Sequence, residues 1–206
     1  MSFTLNRRRL LAGAALTGLF ATPTRAQEMA PWQWTDQNGL IKDLPKDKAP
    51  LTDELKKFPR CRYCGMERAK FTHSRHLIHY ADDSVDGTCS LHCAAIGLSL
   101  NMDLGPKAIY VGDAGSPEAL KPLLPVDKAF YVVDPSKPGT MTRISNFAYA
   151  DKAKADAAAA AEMSIKAGAA VHTFDEALRK AYLAMAEDTI LLRQRRGEAR
   201  RKVKGG

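Results

Sequence analysis

The chain has 206 residues, of which 45% are hydrophobic and 26% are charged, and its formal net charge is +8. The excess positive charge lies at the two ends, because residues 27–192 carry 20 basic and 22 acidic side chains. The body therefore lacks the basic surface with interleaved aromatic residues that nucleic-acid binding requires, and nucleic acid is excluded as a predicted partner.

The first 26 residues have the features of an export signal. Arginines occupy positions 7–9, an apolar run follows over 10–21, and the small residue Ala26 ends the segment. The apolar run is too short to cross a membrane, so we expect cleavage near Ala26 and no transmembrane segment afterwards. Paired arginines followed by two leucines favour the twin-arginine route, which exports folded proteins to the periplasm. An ordinary export signal that is rich in arginine is the alternative.

The remaining chain predicts an extended arm, an α+β domain and a basic tail. Residues 27–58 contain three prolines and two tryptophans without a hydrophobic period, which predicts an extended arm with a short helix near its end. Residues 59–192 alternate between strand and helix patterns, so we expect two related α+β lobes followed by a C-terminal helix. Residues 193–206 hold seven basic residues and one acidic residue, which predicts a disordered tail.

The patterns within the α+β domain predict individual elements in chain order. A helix is predicted over 90–102, with Ser90 near its start and Asn101 near its stop, and a final helix over 175–192 is predicted to be capped by Asp175. The other predicted elements are strands over 70–82, 107–113, 128–134 and 141–147, an alanine-rich helix over 149–168 and a last strand over 169–174.

All four cysteines lie in two short segments. Cys61 and Cys64 are separated by two residues and followed by Gly65, a spacing typical of a knuckle that directs two sulfur atoms to one point. Cys89 and Cys93 are four residues apart at the predicted start of a helix, so their side chains share one helix face. Two such pairs can close a tetrahedral four-sulfur metal site, which is the predicted use of these cysteines. Two disulfides, common in exported proteins, are the alternative.

Methionine and histidine residues near the cysteines bear on the identity of the metal. Met66 favours copper, because Cu(I) accepts a thioether ligand that zinc seldom takes, although packing in a core is the alternative role for a methionine. His92 lies inside the second cysteine pair and is a further candidate ligand. His73, His76 and His79 alternate between the faces of a predicted strand, so each is predicted to be a surface residue. No catalytic motif stands out, and no enzymatic activity is predicted.

Several stretches of the sequence together resemble the NosL family, the accessory copper proteins of nitrous oxide reductase. These stretches are "CRYCGM", "DGTCSLHCAAIGL", "AFYVVDPSKPGTMTRISNFAY" and "GAAVHTFDEAL", and the resemblance runs from about 59 to 180. It implies two lobes of ββαβ type, about 59–113 and about 128–175, and a Cu(I) site that uses Cys, Met and His. It also implies delivery of copper to nitrous oxide reductase and its copper-site assembly machinery in the periplasm.

The family motifs transfer directly to Cys64 and Met66, and more weakly to Met141. The sequence departs from the family in three respects: it has no lipobox, it has "GTMTR" where the family usually has Thr-Pro-Met-Gly, and its four-cysteine pattern also resembles treble-clef metal modules of the TRASH type. This last departure leaves open whether one metal or two are held near Cys61 to Cys93.

The preferred interpretation is therefore a periplasmic Cu(I) metallochaperone. The alternative is an exported protein with a structural Zn(II) site and an interaction role; a fold with two disulfides and a thiol enzyme related to organomercurial lyase are less favoured. The candidate metal ligands are Cys61, Cys64, Met66, Cys89, His92, Cys93 and Met141.

Overall fold

The structure is a computed structural model that describes residues 44–204, so the predicted export signal and most of the predicted arm lie outside the described residues. Within this range, no helix combines the length and the apolar character needed to cross a membrane. The elements in chain order are α1 (Glu54–Lys57), a 3₁₀ turn (Arg68–Phe71), β1 (His76–Tyr80), β2 (Val85–Thr88), α2 (Leu91–Leu100), β3 (Pro106–Gly112), β4 (Leu123–Pro125), a second 3₁₀ turn (Val126–Lys128), β5 (Phe130–Asp134), β6 (Ser145–Tyr149), α3 (Lys152–Ala159), α4 (Glu162–Lys166), β7 (Ala170–His172) and α5 (Phe174–Lys204).

The strands form two antiparallel sheets, which confirms the α+β class. The first sheet has the strand order β2-β1-β3-β4, and the second has the order β6-β5-β7. Asp113, directly after β3, joins the sheets through a bridge to Ala148 of β6, and the amide of Ala114 donates to the Ala148 carbonyl over 2.8 Å. Helix α5 follows the second sheet at the C-terminal end of the described chain.

The largest hydrophobic core includes residues of both sheets and of helix α5. Tyr131 and Val133 of β5 both belong to it, as expected for alternate residues of one strand, and Val111 of β3 packs with them. Ala177 and Ala181 lie one helical turn apart and bring α5 against this core. Because α5 continues far beyond these alanines, the core fixes the direction in which the rest of the helix runs.

Two predicted elements have different bounds in the structure. The strand predicted over 70–82 begins only at His76, because the preceding residues form the first 3₁₀ turn and the turns that follow it. The alanine-rich helix predicted over 149–168 is divided into α3 and α4. The buried hydroxyl of Ser164, in α4, donates to the carboxylate of Asp134 over 2.7 Å, and this tertiary contact holds α4 in its own position.

The C-terminal helix corrects the predicted boundary at 192 and the predicted disordered tail. Helix α5 runs to Lys204, because the basic segment consists largely of Arg, Lys, Ala, Gln and Glu, which are strong helix formers. Its N-terminal cap is Thr173 rather than Asp175. The Thr173 hydroxyl accepts from the Glu176 amide over 3.4 Å, and the Glu176 carboxylate accepts from the Thr173 amide over 2.9 Å, which is a capping box.

A buried histidine links the two sheets. His76 of β1 donates from Nδ1 to the Ser74 carbonyl over 3.0 Å, and its Nε2 accepts from the Tyr131 hydroxyl over 3.0 Å. Burial lowers the pKa of His76 to about 3 from its ordinary value of 6.5, so the ring is neutral and Nε2 accepts. The prediction that His76 and His79 lie on the surface is wrong, since both are buried in the first sheet.

The neutral state of His76 predicts a loss of stability in acid. Below its ordinary pKa the unfolded chain binds a proton that the folded chain does not, so the stabilisation is complete above about pH 6.5 and falls by up to about 1.4 kcal/mol per pH unit toward pH 3. Chemical unfolding of the wild type and of His76→Gln between about pH 7 and pH 4 measures this dependence. The variant should be less stable at neutral pH but less sensitive to acid. If the free energy of unfolding changed equally with pH in the two proteins, His76 would not be the buried neutral group.

Candidate metal centre

The first cysteine pair lies on a tight backbone knuckle. The Gly65 amide donates to the Cys61 carbonyl over 2.8 Å, and the Cys61 amide donates to the Met66 carbonyl over 2.9 Å. Gly65 has a φ of 78°, a left-handed conformation that glycine adopts without the steric cost of a Cβ. The knuckle therefore turns the chain sharply enough to direct both Cys61 and Cys64 to one side.

Two polar side chains, the half-buried Tyr63 and the buried Arg68, attach this knuckle to the first sheet. Tyr63, between the two cysteines, donates its hydroxyl to the carboxylate of Asp86 in β2. The guanidinium of Arg68 donates to the carbonyls of Phe58 over 2.7 Å, His76 over 3.0 Å and Thr88 over 3.1 Å. Arg68 thus joins the segment before the first cysteine pair to the strand end before the second pair.

The second cysteine pair lies at the start of helix α2. Ser90 is the N-cap, and its hydroxyl accepts from the Cys93 amide over 3.3 Å, so Cys93 occupies the first turn of the helix. The Cys89 carbonyl accepts from the Ser74 hydroxyl over 2.8 Å, which fixes the residue before the cap. These contacts confirm the predicted helix start and place both thiols on the side that faces the knuckle.

The four cysteines meet in one cluster, which we call the four-sulfur cluster. All four Sγ atoms lie within 4.8 Å of one another; Cys64 and Cys89 are 3.4 Å apart, and Cys89 and Cys93 are 3.8 Å apart. All four cysteines are free, so the arrangement is not that of two disulfides. Cys61, Cys89 and Cys93 are at most 1% exposed, whereas Cys64 is half-buried. The predicted convergence of the two pairs is confirmed.

The proximity of the thiols opposes their simultaneous ionisation. Hydrogen bonds from the neighbouring thiols, that of Cys64 first, lower the pKa of Cys61. Hydrogen bonding with Cys61 and Cys64 raises the pKa of Cys93, and burial adds to this increase. One thiolate in the cluster therefore disfavours the next, unless a cation neutralises their charge. Such an arrangement of sulfur atoms is suited to a metal ion, which deprotonates its thiol ligands on binding.

Both candidate methionines lie beside the four-sulfur cluster. Met66 follows the knuckle, and Met141 comes from the loop between β5 and β6; both pack against the cysteines. The two methionines also line a cavity of about 410 Å³, which we call the thioether cavity. His73, Phe71 and Phe147 line the same cavity, and helix α5 contributes Leu192, Arg195, Arg196 and Ala199 to its wall.

Of the predicted ligands, His92 is oriented differently from the cysteines. Its Nδ1 lies 3.3 Å from the Asp188 carboxylate of helix α5, and it is not among the donor atoms that lie within 4.8 Å of one another in the cluster. Adjacent helical residues point about 100° apart, so Cys93 faces the knuckle while His92 faces α5. The structure therefore places His92 against helix α5 and outside the four-sulfur cluster.

Three residues near the site were not predicted. His73 reaches the thioether cavity because it precedes β1 instead of belonging to it, and its ring packs edge-on against Phe147 with centroids 5.0 Å apart. Burial lowers the pKa of His73, which favours its neutral form. Asp188 accepts from the Arg143 amide over 3.0 Å, and Arg196 donates to the Cys64 carbonyl over 2.8 Å. The only sequence signal for Asp188 and Arg196 is the helical pattern that leads into the basic segment.

Comparisons with known proteins identify the family of the chain. The sequence model of the NosL family matches residues 52–181. No curated protein sequence matches the chain with significance. The chain is similar to a crystal structure of the copper chaperone NosL from Shewanella denitrificans, with 24% identity, coverage of 57% of this chain and 87% of that chain, and a TM-score of 0.45. Since the family match spans more than half of the sequence, the chain belongs to the NosL family.

Proposed function

We propose that the chain is an exported, non-catalytic chaperone that binds Cu(I) and delivers it for the assembly of nitrous oxide reductase. Membership of the NosL family supports this function, because the resemblance to that family implies copper delivery in the periplasm. The arginine-rich segment before Ala26 supports export by the twin-arginine route, with cleavage of the signal. The recipient is nitrous oxide reductase with its copper-site assembly machinery, and nucleic acid is not a partner.

The main support for the proposal is that two methionines lie beside the thiols and line the adjacent cavity. Met66 and Met141 are separated by more than seventy residues in the sequence, yet both pack against the cysteines and line the same cavity. Cys64, the most exposed of the four cysteines, lies on the same knuckle as Met66. Thioethers and thiolates are soft ligands that select Cu(I), and their position beside a cavity leaves a path for the ion to enter and leave.

The backbone of Met141 gives independent support for a functional role. Its φ of 65° is left-handed, which is uncommon for a residue with a Cβ and indicates local strain imposed by the surrounding structure. The neighbouring residues hold this conformation: the Thr140 hydroxyl is 2.8 Å from that of Ser74, and the Arg143 amide donates to Asp188 over 3.0 Å. The loop is thus anchored on both sides of Met141, which keeps its thioether at the cavity.

We also propose that the two sheets belong to related lobes of ββαβ type. In each lobe the first strand is central, the second strand lies on one side of it and the strand after the helical segment lies on the other. The order β2-β1-β3 in the first lobe corresponds to β6-β5-β7 in the second. The metal centre then lies on the first lobe, and the second lobe supplies Met141.

The four-sulfur cluster by itself favours the alternative function, an exported zinc protein with an interaction role, because closed four-cysteine sites commonly hold zinc. Titration with Cu(I) decides whether the chain is a copper carrier. Mature protein, beginning after Ala26, should withdraw Cu(I) from a weak Cu(I) chelator, and an excess of Zn(II) should not prevent this transfer. Failure to acquire Cu(I) from a weak chelator, whatever the zinc content of the protein, would leave the zinc alternative as the better function.

A further inference from the structure

We infer that the four-sulfur cluster holds a resident zinc ion, distinct from the copper cargo, and that the cargo binds in the adjoining thioether cavity on Met66, Met141 and His73. The assignment of zinc depends only on the geometry of the cysteines. The assignment of copper to the cavity rests on the proposed function.

The spacing of the sulfur atoms fits a tetrahedral zinc site. An ion with four Zn–S bonds of about 2.3 Å places its ligands about 3.8 Å apart. Cys89 and Cys93 are 3.8 Å apart, Cys64 and Cys89 are 3.4 Å apart, and no pair of sulfur atoms exceeds 4.8 Å. Small movements of the side chains therefore close the site, and a tetrahedral set of four thiolates is typical of zinc or of iron–sulfur centres.

The burial of the cluster distinguishes a resident ion from a cargo ion. Three of its four cysteines are at most 1% exposed. The knuckle and the capped helix that carry the thiols are anchored by Arg68 and Ser74, so release of the ion would require both segments to move. A closed site of four thiolates retains its metal, whereas a carrier must exchange its metal with a partner. The cluster thus has the properties of a structural site that joins 61–64 to 89–93.

The thioether cavity, unlike the cluster, has the exposed and weakly binding ligands that suit a metal ion that must be exchanged. Met66, Met141 and His73 are all partly exposed, and each lines the cavity. Two thioethers and an imidazole are neutral ligands, which bind Cu(I) more weakly than a set of thiolates and so permit exchange. Cys64 lies at the border between the two sites, because it is half-buried and belongs to the same knuckle as Met66. The zinc site would therefore fix the position of one copper ligand.

Metal analysis of the wild-type mature chain tests the zinc assignment without any substitution. We expect about one equivalent of zinc per chain, which remains after Cu(I) has been loaded and stripped again with a Cu(I) chelator. Replacement of the zinc by Co(II) should give the thiolate-to-metal charge-transfer absorption of a tetrahedral thiolate site. Iron in place of zinc, or copper that displaces the zinc and protects all four thiols from alkylation, would overturn the inference.

Substitutions test the separation of the two sites. Cys89→Ser with Cys93→Ser should abolish zinc binding, whereas His73→Gln should lower Cu(I) affinity at least about tenfold and leave the zinc content unchanged. His172→Gln, which replaces a partly buried histidine outside the thioether cavity, is the matched control and should change neither metal. Unchanged Cu(I) affinity in His73→Gln would remove His73 from the ligand set. Zinc binding without any Cu(I) binding would contradict the proposed function, and the copper assignment that rests on it, but would leave the zinc assignment intact. Cu(I) binding by the cluster in place of zinc would contradict the zinc assignment and leave the proposed function intact.

Discussion

Glu54→Gln is expected to lower the free energy of unfolding by about 3–5 kcal/mol. The Glu54 carboxylate lies 2.7 Å from Nη1 of Arg68 and 2.7 Å from Nε of Arg75. Both guanidinium groups are buried, at 0% and 3% exposure, and Glu54 itself is 7% exposed. Glutamine has nearly the same shape but no charge, so the substitution leaves two buried cations close together without the anion between them. The cost of such uncompensated charges exceeds that of most point substitutions.

The substitution should also weaken metal binding, because Arg68 holds the segments that carry both cysteine pairs. Chemical unfolding followed by circular dichroism measures the change in stability, and metal analysis of the folded variant measures the change in the site. Glu162→Gln is the matched control: Glu162 forms a 2.6 Å pair with Lys166, but the two side chains are 81% and 66% exposed. An exposed pair of this kind contributes at most about 1 kcal/mol. Similar losses in the two variants would mean that the buried ion pairs have no special role.

The double variant Met66→Leu with Met141→Leu is expected to lower Cu(I) affinity at least about 100-fold, which corresponds to about 2.8 kcal/mol. Leucine is close to methionine in volume, so each substitution should cost less than about 1.5 kcal/mol of stability. The variant therefore removes two soft ligands from the thioether cavity while it preserves the packing beside the cysteines. Competition with a Cu(I) chelator measures the affinity, and a thermal melt shows whether the fold is intact.

Delivery in cells provides a second measurement of the same variant. A strain that produces only the double variant should contain nitrous oxide reductase with less than its full copper content, as a strain without the protein should. Met163→Leu is the matched control, because Met163 is 68% exposed and does not line the thioether cavity. If the double variant binds and delivers copper like the wild type, the methionines only fill space, and the copper ligands must be sought elsewhere.

Much of the metal centre could be predicted from local rules of chain geometry. The Cys61-x2-Cys64 spacing followed by Gly65 indicates a knuckle, and Ser90, between Cys89 and Cys93, indicates a helix start. Each rule concerns neighbouring residues, so each could be applied without knowledge of the fold. Most of the predicted helices and strands are present for the same reason, since their prediction depends on periodicity within short windows.

The residues that could not be predicted depend on contacts between distant segments. Glu54, Arg68 and Arg75 have the composition of a solvated surface, and only the ion pairs that Glu54 of α1 makes with Arg68 and Arg75 join them in a buried network. The role of His92 depends on which helix passes beside α2, and that neighbour, α5, extends further than the basic composition of its end suggested. The sequence predicts His73 on a strand face, whereas a turn before β1 directs it into the thioether cavity.

The course of helix α5 has a practical consequence for the purification of the protein. Ala199 lines the thioether cavity, and the helix continues for five residues to Lys204, a distance of about 8 Å. A polyhistidine tag fused after Gly206 would bring several imidazoles within reach of that cavity. These imidazoles would themselves bind copper, so the measured affinity and stoichiometry would both be too high. Tags for metal titration therefore belong at the amino end of the mature chain, or should be cleaved before the first measurement.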